Sequence, residues 1–152
     1  MRKLIAGIHR FQKKYRDEHW ALFRRLAEHG QFPEALFITC CDSRVDPLTI
    51  THGQPGDLFI FRNIGNLVPP YSENPLDFSG VGAAVEYAVE HLQVRDIIVC
   101  GHSDCGAMKA LGKDRSKFAG TPHIAEWLSH GDRTMAVVSA NYPELSREER
   151  YE

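Results

Sequence analysis

The stretch ALFITCCDSRVDP runs from Ala35 to Pro47. Its first five residues, ALFIT, form a short continuous apolar run, which predicts a strand buried on both faces. Two adjacent cysteines close the run, and an acid, a serine and an arginine follow at once. In open parallel sheets ligands gather outside the carboxyl ends of the strands. One segment therefore supplies both a structural element and a candidate site.

Working outward, two more runs of the same kind appear, LFIF at Leu58–Phe61 and IIVC at Ile97–Cys100. Between them lies a loop marked by Gly and Pro, NIGNLVPPYSENP. A helical segment then spans Asp77–Leu92, with Val81, Ala84, Val85, Ala88 and Leu92 on one face. After the third run, Gly101–Gly106 predicts a tight turn and Ala107–Leu111 a further helix. Upstream, Leu4, Ile8, Phe11, Tyr15, Trp20, Phe23 and Leu26 recur near helical spacing among basic and acidic residues. That pattern predicts one long amphipathic helix ending at Gly30. The C-terminal piece from His123 reads as helices with a polar end and no further strand. Strands alternating with helices give an α/β fold, a mostly parallel sheet flanked by helices, with a long N-terminal amphipathic helix. The expected organisation is a single domain: a helical arm over 1–29, an α/β core over 34–112, and a helical part over 113–152.

Composition narrows the function classes. The chain has 152 residues, 43% of them hydrophobic and 25% charged, as in ordinary globular domains. A formal net charge of −2 gives no electrostatic case for nucleic acid or an anionic membrane as partner. No apolar run approaches the roughly 20 residues that span a bilayer. The first twenty residues lack the apolar core and cleavage site of a signal peptide, so a cytoplasmic location is expected. Packaging into a microcompartment would leave no mark in the sequence. The four cysteines, Cys40, Cys41, Cys100 and Cys105, read as reduced ligands or core residues rather than a disulfide framework.

Two chemically loaded stretches stand at strand ends: CCDSR after the first strand and GHSDCGAM (Gly101–Met108) after the third. They offer one cysteine from the first, plus His102 and Cys105 from the second. Zinc accepts thiolate and imidazole together, and three protein ligands leave a fourth position open for catalysis. A structural zinc would show a fourth ligand at short spacing, and the spare thiols are Cys41, beside a ligand, and Cys100, inside a strand. Alternation chooses between the adjacent cysteines. In extended chain, residues i and i+2 project to the same side, roughly 6–7 Å apart. With Cys40 facing the metal, Asp42 and Arg44 share its side, and Cys41 turns into the packing as a small hydrophobe. Cys100 is expected in the core. His52, His91, His123 and His130 read as solvated or capping residues. Alone, a His-x-x-Cys arises by chance and an Asp-x-Arg is a surface ion pair. Their joint occurrence at two strand ends carries the metal reading.

These residues resemble the β-class carbonic anhydrases. Cys-x-Asp-Ser-Arg matches Cys40 to Arg44, and His-x-x-Cys-Gly matches His102 to Gly106. The connecting text GDLFIFRNIGNLVPPY, GVGAAVEYAVEHL and DIIVCGHSDCGAMKAL agrees, so the similarity covers roughly residues 20–112. NLVPPY and GVGAAVEYAV resemble the plant-type, openly hydrated subgroup. The resemblance implies one zinc ion (Zn2+) per chain on Cys40, His102 and Cys105. It also implies reversible hydration of carbon dioxide to bicarbonate and a proton, by zinc-bound hydroxide. Asp42 would orient that hydroxide, and Arg44 would hold Asp42 ionised and away from the metal. Gln31, Phe59, Ile64, Tyr87 and Gly106 would border the substrate, with several walls supplied by a neighbouring subunit. A homodimer or larger homo-oligomer follows, with the N-terminal helix reaching across the partner.

In one respect the sequence departs from the family, whose members run several dozen residues further and add another strand and helices. Two alternatives stand beside the lyase: a zinc-binding module that assembles without turnover, and a hydrolase of a carbon dioxide analogue such as CS2 or COS. A cysteine nucleophile or redox protein fits worst, because there is no Cys-x-x-Cys pair.

Overall fold

The computed structural model describes residues 1–15, 17, 19–74, 79–146 and 149–151. Three strands form one parallel sheet, β1 (Ala35–Cys40), β2 (Leu58–Asn63) and β3 (Asp96–Cys100), in the order β2-β1-β3. Cys40 pairs with Asn63 and Thr39 with Cys100, so the three carboxyl ends finish level with one another. Every residue of β1 is buried. Its alternation sends Leu36, Ile38 and Cys40 to one face and Ala35, Phe37 and Thr39 to the other. Leu36 and Ile38 pack with Val81 and Ala88, and Phe59, Phe61, Val85, Val94 and Trp127 close around that cluster. Thr39, a buried polar residue, donates its hydroxyl to the Cys100 carbonyl at 2.9 Å.

Two of the helices start at side-chain caps that the sequence supplies. Helix α1 (Arg2–Arg10) and helix α2 (Trp20–His29) come first. Helix α3 (Pro47–Thr51) has Pro47 in its first turn and Asp46 as N-cap, whose carboxylate accepts the Thr49 N–H at 3.1 Å. Helix α4 (Gly80–Glu86) is capped by the Ser79 hydroxyl, which accepts the Gly82 N–H at 3.2 Å. It runs on into a wide turn over Tyr87–His91. Val81, Ala84 and Ala88 are its buried stripe, as the spacing predicts, while Asp77 at the expected start lies outside the described residues. Helices α5 (Gly106–Leu111), α6 (Pro122–Ser129) and α7 (Asp132–Asn141) follow. Among the described residues no strand follows β3, and no helix is long and apolar enough to cross a membrane.

Three expectations need correction. The N-terminal stretch is not one continuous helix. A wide turn over Phe11–Tyr15 follows α1, and His19 leaves helical geometry (φ −109°, ψ 14°) before α2 begins. The sequence contains the cause: Tyr15 to Trp20 is a step of five, which at about 100° per residue would rotate Trp20 far off the apolar stripe. Secondly, only β1 is buried on both faces. β3 is an edge strand, with Ile97, Ile98 and Val99 between 41% and 52% exposed, and β2 is intermediate. Thirdly, Cys41 is exposed and Cys100 only half-buried. β1 stops at Cys40, so strand alternation no longer directs Cys41 inward, and Cys100 belongs to the edge strand.

Candidate metal centre

The level carboxyl ends of β1 and β3 bring three ligand atoms together from residues distant in sequence. The sulfurs of Cys40 and Cys105 stand 3.9 Å apart, and these two with His102 place their ligand atoms within 4.8 Å of one another. Both cysteines are buried and neither is in a disulfide. Two sulfurs bound at roughly 2.3 Å to one tetrahedral zinc stand about 3.8 Å apart, which matches the observed gap. His102 is oriented for the same task. The Ser103 carbonyl, an obligate acceptor, lies 2.9 Å from Nδ1, so Nδ1 carries the proton and Nε2 keeps its lone pair. Nε2 is buried without a hydrogen-bond partner. An orphaned imidazole nitrogen beside two thiols is a donor set suited to zinc.

Backbone geometry supports the thiols. Burial pushes the Cys40 thiol up, but hydrogen bonds, the Asp42 N–H first and the Gly65 N–H among them, outweigh it and leave the thiol below its ordinary value. Burial likewise raises Cys105. The N–H groups of Met108 and Ala107, at the start of α5, oppose that rise, and the charge of Cys40 adds to it. Gly65 is required where it stands, at φ 77°. A Cβ there would sit 2.7 Å from the Ala107 Cβ and 2.9 Å from the Met108 Cε.

Asp42 and Arg44 reach the same side as Cys40 by a turn rather than by extended chain. The Val45 N–H bonds the Asp42 carbonyl at 3.0 Å, closing the turn. Within it Arg44 grips the carboxylate three times: its N–H and Nε donate to Oδ1 at 2.9 and 3.0 Å, and Nη2 donates to Oδ2 at 2.8 Å. This grip holds the Asp42 carboxyl well below the usual carboxylate range and raises Arg44 in return. Asp42 Oδ2 is 4.0 Å from His102 Nε2, so an ionised oxygen borders the space that the three ligands share.

The remaining expected positions divide. Ile64 follows β2 directly, level with Cys40, and is half exposed. Gly106 opens α5 beside Cys105, and a Cβ built there meets nothing within 4 Å. Phe59 and Tyr87 stack on each other, ring centroids 5.6 Å apart, with His91 against Tyr87 at 5.2 Å. Phe59 pairs with Leu36, four residues before Cys40 and so about 13 Å back along the sheet. Gln31 precedes the amino end of β1 and is exposed. One chain therefore does not bring Gln31, Phe59 and Tyr87 to the ligand cluster. Motif matching locates residues along a chain, not the chain that presents them.

Other contacts escaped the sequence reading. Arg62 of β2 donates from Nε to the Cys40 carbonyl at 3.1 Å and from Nη2 to the Asp42 carbonyl at 2.7 Å, holding the ligand turn from the opposite side. Trp127 of α6 donates its indole N–H to the Ile64 carbonyl at 2.7 Å. Asp104, between two ligand residues, contacts Arg44 and Lys109. An acid inside His-Ser-Asp-Cys was a usable signal, whereas nothing local marks Trp127, whose partner is 63 residues away.

Comparison with known proteins bears on this geometry. The family model described as carbonic anhydrase matches residues 35–152. A carbonic anhydrase of Synechocystis sp. is 47% identical over 152 residues, covering 100% of this chain and 54% of the relative. The chain thus spans about half the length of that relative. Among solved structures, the β-carbonic anhydrase CcaA aligns with a TM-score of 0.88 at 45% identity, over 99% of this chain and 71% of that one. A tetrameric β-carbonic anhydrase of Sordaria macrospora aligns with a TM-score of 0.66 at 35% identity, over 99% and 68%.

Proposed function

The chain belongs to the β-class carbonic anhydrase family, and from that premise we propose that it catalyses the reversible hydration of carbon dioxide to bicarbonate and a proton, with zinc held by Cys40, His102 and Cys105. The observation that carries the proposal is the buried, unpartnered His102 Nε2 facing two thiols 3.9 Å apart. Bound there, zinc supplies a Lewis acid that lowers the pKa of water and makes hydroxide available near neutral pH. Two thiolate ligands weaken that acidity relative to an all-histidine set, so the surrounding residues have more to do.

Asp42 is the group placed for that work. Ionised by Arg44, its Oδ2 accepts a hydrogen bond from the attacking oxygen and turns that oxygen's lone pair toward carbon dioxide. With its carboxylate gripped three times, Asp42 is also restrained from swinging onto the metal. Ile64 gives an apolar wall at the ligand end. Gln31, Phe59 and Tyr87 act in a homodimer or larger homo-oligomer, where a second copy presents them to the site. Their position away from the ligands of their own chain supports this. So does the exposed stripe Leu4, Ile8 and Phe11 on the N-terminal arm. The Sordaria relative, described as tetrameric, is consistent with it.

The bare face of β3 favours one second reading, a zinc-binding assembly module without turnover. Stopped-flow carbon dioxide hydration with zinc analysis on one sample separates the two. The lyase predicts about one zinc per chain together with hydration, and zinc without hydration selects the module. Asp42→Asn should keep its zinc and lose activity on the order of 100-fold, the scale of a misplaced reacting group. Full activity in that variant would sink the Asp42–Arg44 mechanism.

A further inference from the structure

The Arg44 guanidinium does not serve Asp42 alone. Its Nη1 donates to Asp104 Oδ2 at 3.3 Å, and its Nη2 donates to the Asp104 carbonyl at 3.1 Å. Together with the two bonds from Nε and Nη2 to Asp42, these contacts engage both edges of the guanidinium plane and leave it little freedom to rotate. Asp104 is itself fixed. It occupies left-handed backbone at φ 58°, a conformation that Asp tolerates better than most residues, and its Oδ1 accepts from Lys109 on α5. Four side chains thus alternate in charge, Asp42, Arg44, Asp104 and Lys109. The line starts in the turn after β1 and ends on the helix that follows Cys105.

This line bridges the two halves of the ligand set. Cys40 and Asp42 ride on one turn, His102 and Cys105 on the other, and Arg44–Asp104 joins the turns directly. Exposed ion pairs contribute little to stability, so the contact is not accounted for as a fold-holding one. What it fixes is direction: with Asp104 at its far edge, the guanidinium presents one orientation to Asp42.

We propose that Asp104 is a positioning residue, anchored by Lys109, which locks Arg44 and thereby both aims Asp42 and holds the two ligand-bearing turns in register for zinc. The proposal rests on the zinc-lyase reading above, but half of it concerns metal affinity and stands without turnover. Outer-shell partners of this kind change metal affinity or activity by roughly 10–100-fold when removed.

The test uses the full chain and three variants. Asp104→Gly removes the side chain without straining the left-handed backbone, Asp104→Asn removes only the charge, and Lys109→Met removes the anchor. Zinc affinity is read by competition with a chromophoric chelator, and kcat and KM for carbon dioxide hydration at saturating zinc. Expected for Asp104→Gly is a zinc Kd weakened about tenfold and a kcat lowered about tenfold with KM within about twofold. Asp104→Asn should fall between it and the parent, and Lys109→Met should move the same way by less. Adding Lys109→Met to Asp104→Gly should cost less than Lys109→Met costs in the parent, because the part of its effect that passes through Asp104 is already gone. Parental zinc affinity and kcat in Asp104→Gly would overturn the proposal, as would a lowered Tm with both unchanged. If the parent chain binds zinc without hydrating carbon dioxide, the lyase reading fails, and the chelator titration still decides the role of Asp104. If Asp104→Gly does not fold, Asp104→Asn and Lys109→Met decide it by the same two readouts.

Discussion

β1 and β3 are both short, mostly apolar runs, ALFITC and DIIVC, and candidate metal ligands stand at or just after the carboxyl end of each. Their surroundings are opposite. Every residue of β1 is buried, while Ile97, Ile98 and Val99 of β3 are exposed by 41% or more. An apolar run states what a strand is able to bury, and the strand order decides what it does bury. The ligand turns ignore the difference, because they depend on where strands end and not on how well they are covered.

The largest contrast tests that independence at the end of β3 itself. Cys105→Ser should lose zinc by more than the roughly 100-fold reached by outer-shell substitutions, whereas Cys100→Ser, five residues earlier, should keep about one zinc per chain. Metal analysis after dialysis reads both, and zinc loss in Cys100→Ser would break the separation between strand and ligand turn. Next comes packing. Leu36→Ala in β1 should cost about 2–5 kcal/mol of unfolding free energy, and Ile98→Ala in β3 about 1 kcal/mol or less. Equal costs in denaturant titrations would mean that β3 is covered in solution.

Trp127→Phe should cost about 1 kcal/mol, the value of one hydrogen bond, by releasing the Ile64 carbonyl while keeping the ring in the core. No loss in the same titration would remove α6 from the scaffold of the site. The smallest effect falls on Asp114, the N-cap of the short helical turn Arg115–Phe118. The N–H and hydroxyl of Ser116 hold its carboxyl below the ordinary value. A carboxylate depressed in the folded state stabilises above its unfolded pKa of about 4, and that contribution is lost as the pH falls through the folded value. Asp114→Asn should therefore be slightly less stable at neutral pH, and the difference from the parent should vanish in acid.

The sequence made the ligand turns legible because their chemistry is local: His102 and Cys105 lie three apart, and Asp42 and Arg44 two apart. The buried central strand was equally plain in ALFIT. What stayed hidden depends on neighbours distant along the chain. The edge position of β3 follows from pairing order, which an apolar run does not encode. Cys41 was expected inside because alternation was extended one residue past the end of β1. Arg44 and Asp104 meet across 60 residues, and Trp127 and Ile64 across 63, so neither contact has a local signature.

The two sulfurs that meet at 3.9 Å are separated by 65 positions along the chain. An ion gripping both would close a ring holding α3, all of β2, α4 and all of β3, with only Cys40 of β1 inside it. Closing a loop of that length withdraws about 4 kcal/mol of chain entropy from the unfolded ensemble in the cross-link model. The metal is then a removable cross-link, acting as a disulfide does but released by a chelator instead of a reductant. On the proposed zinc site, metal supply would set how stable this chain is as well as whether it turns over.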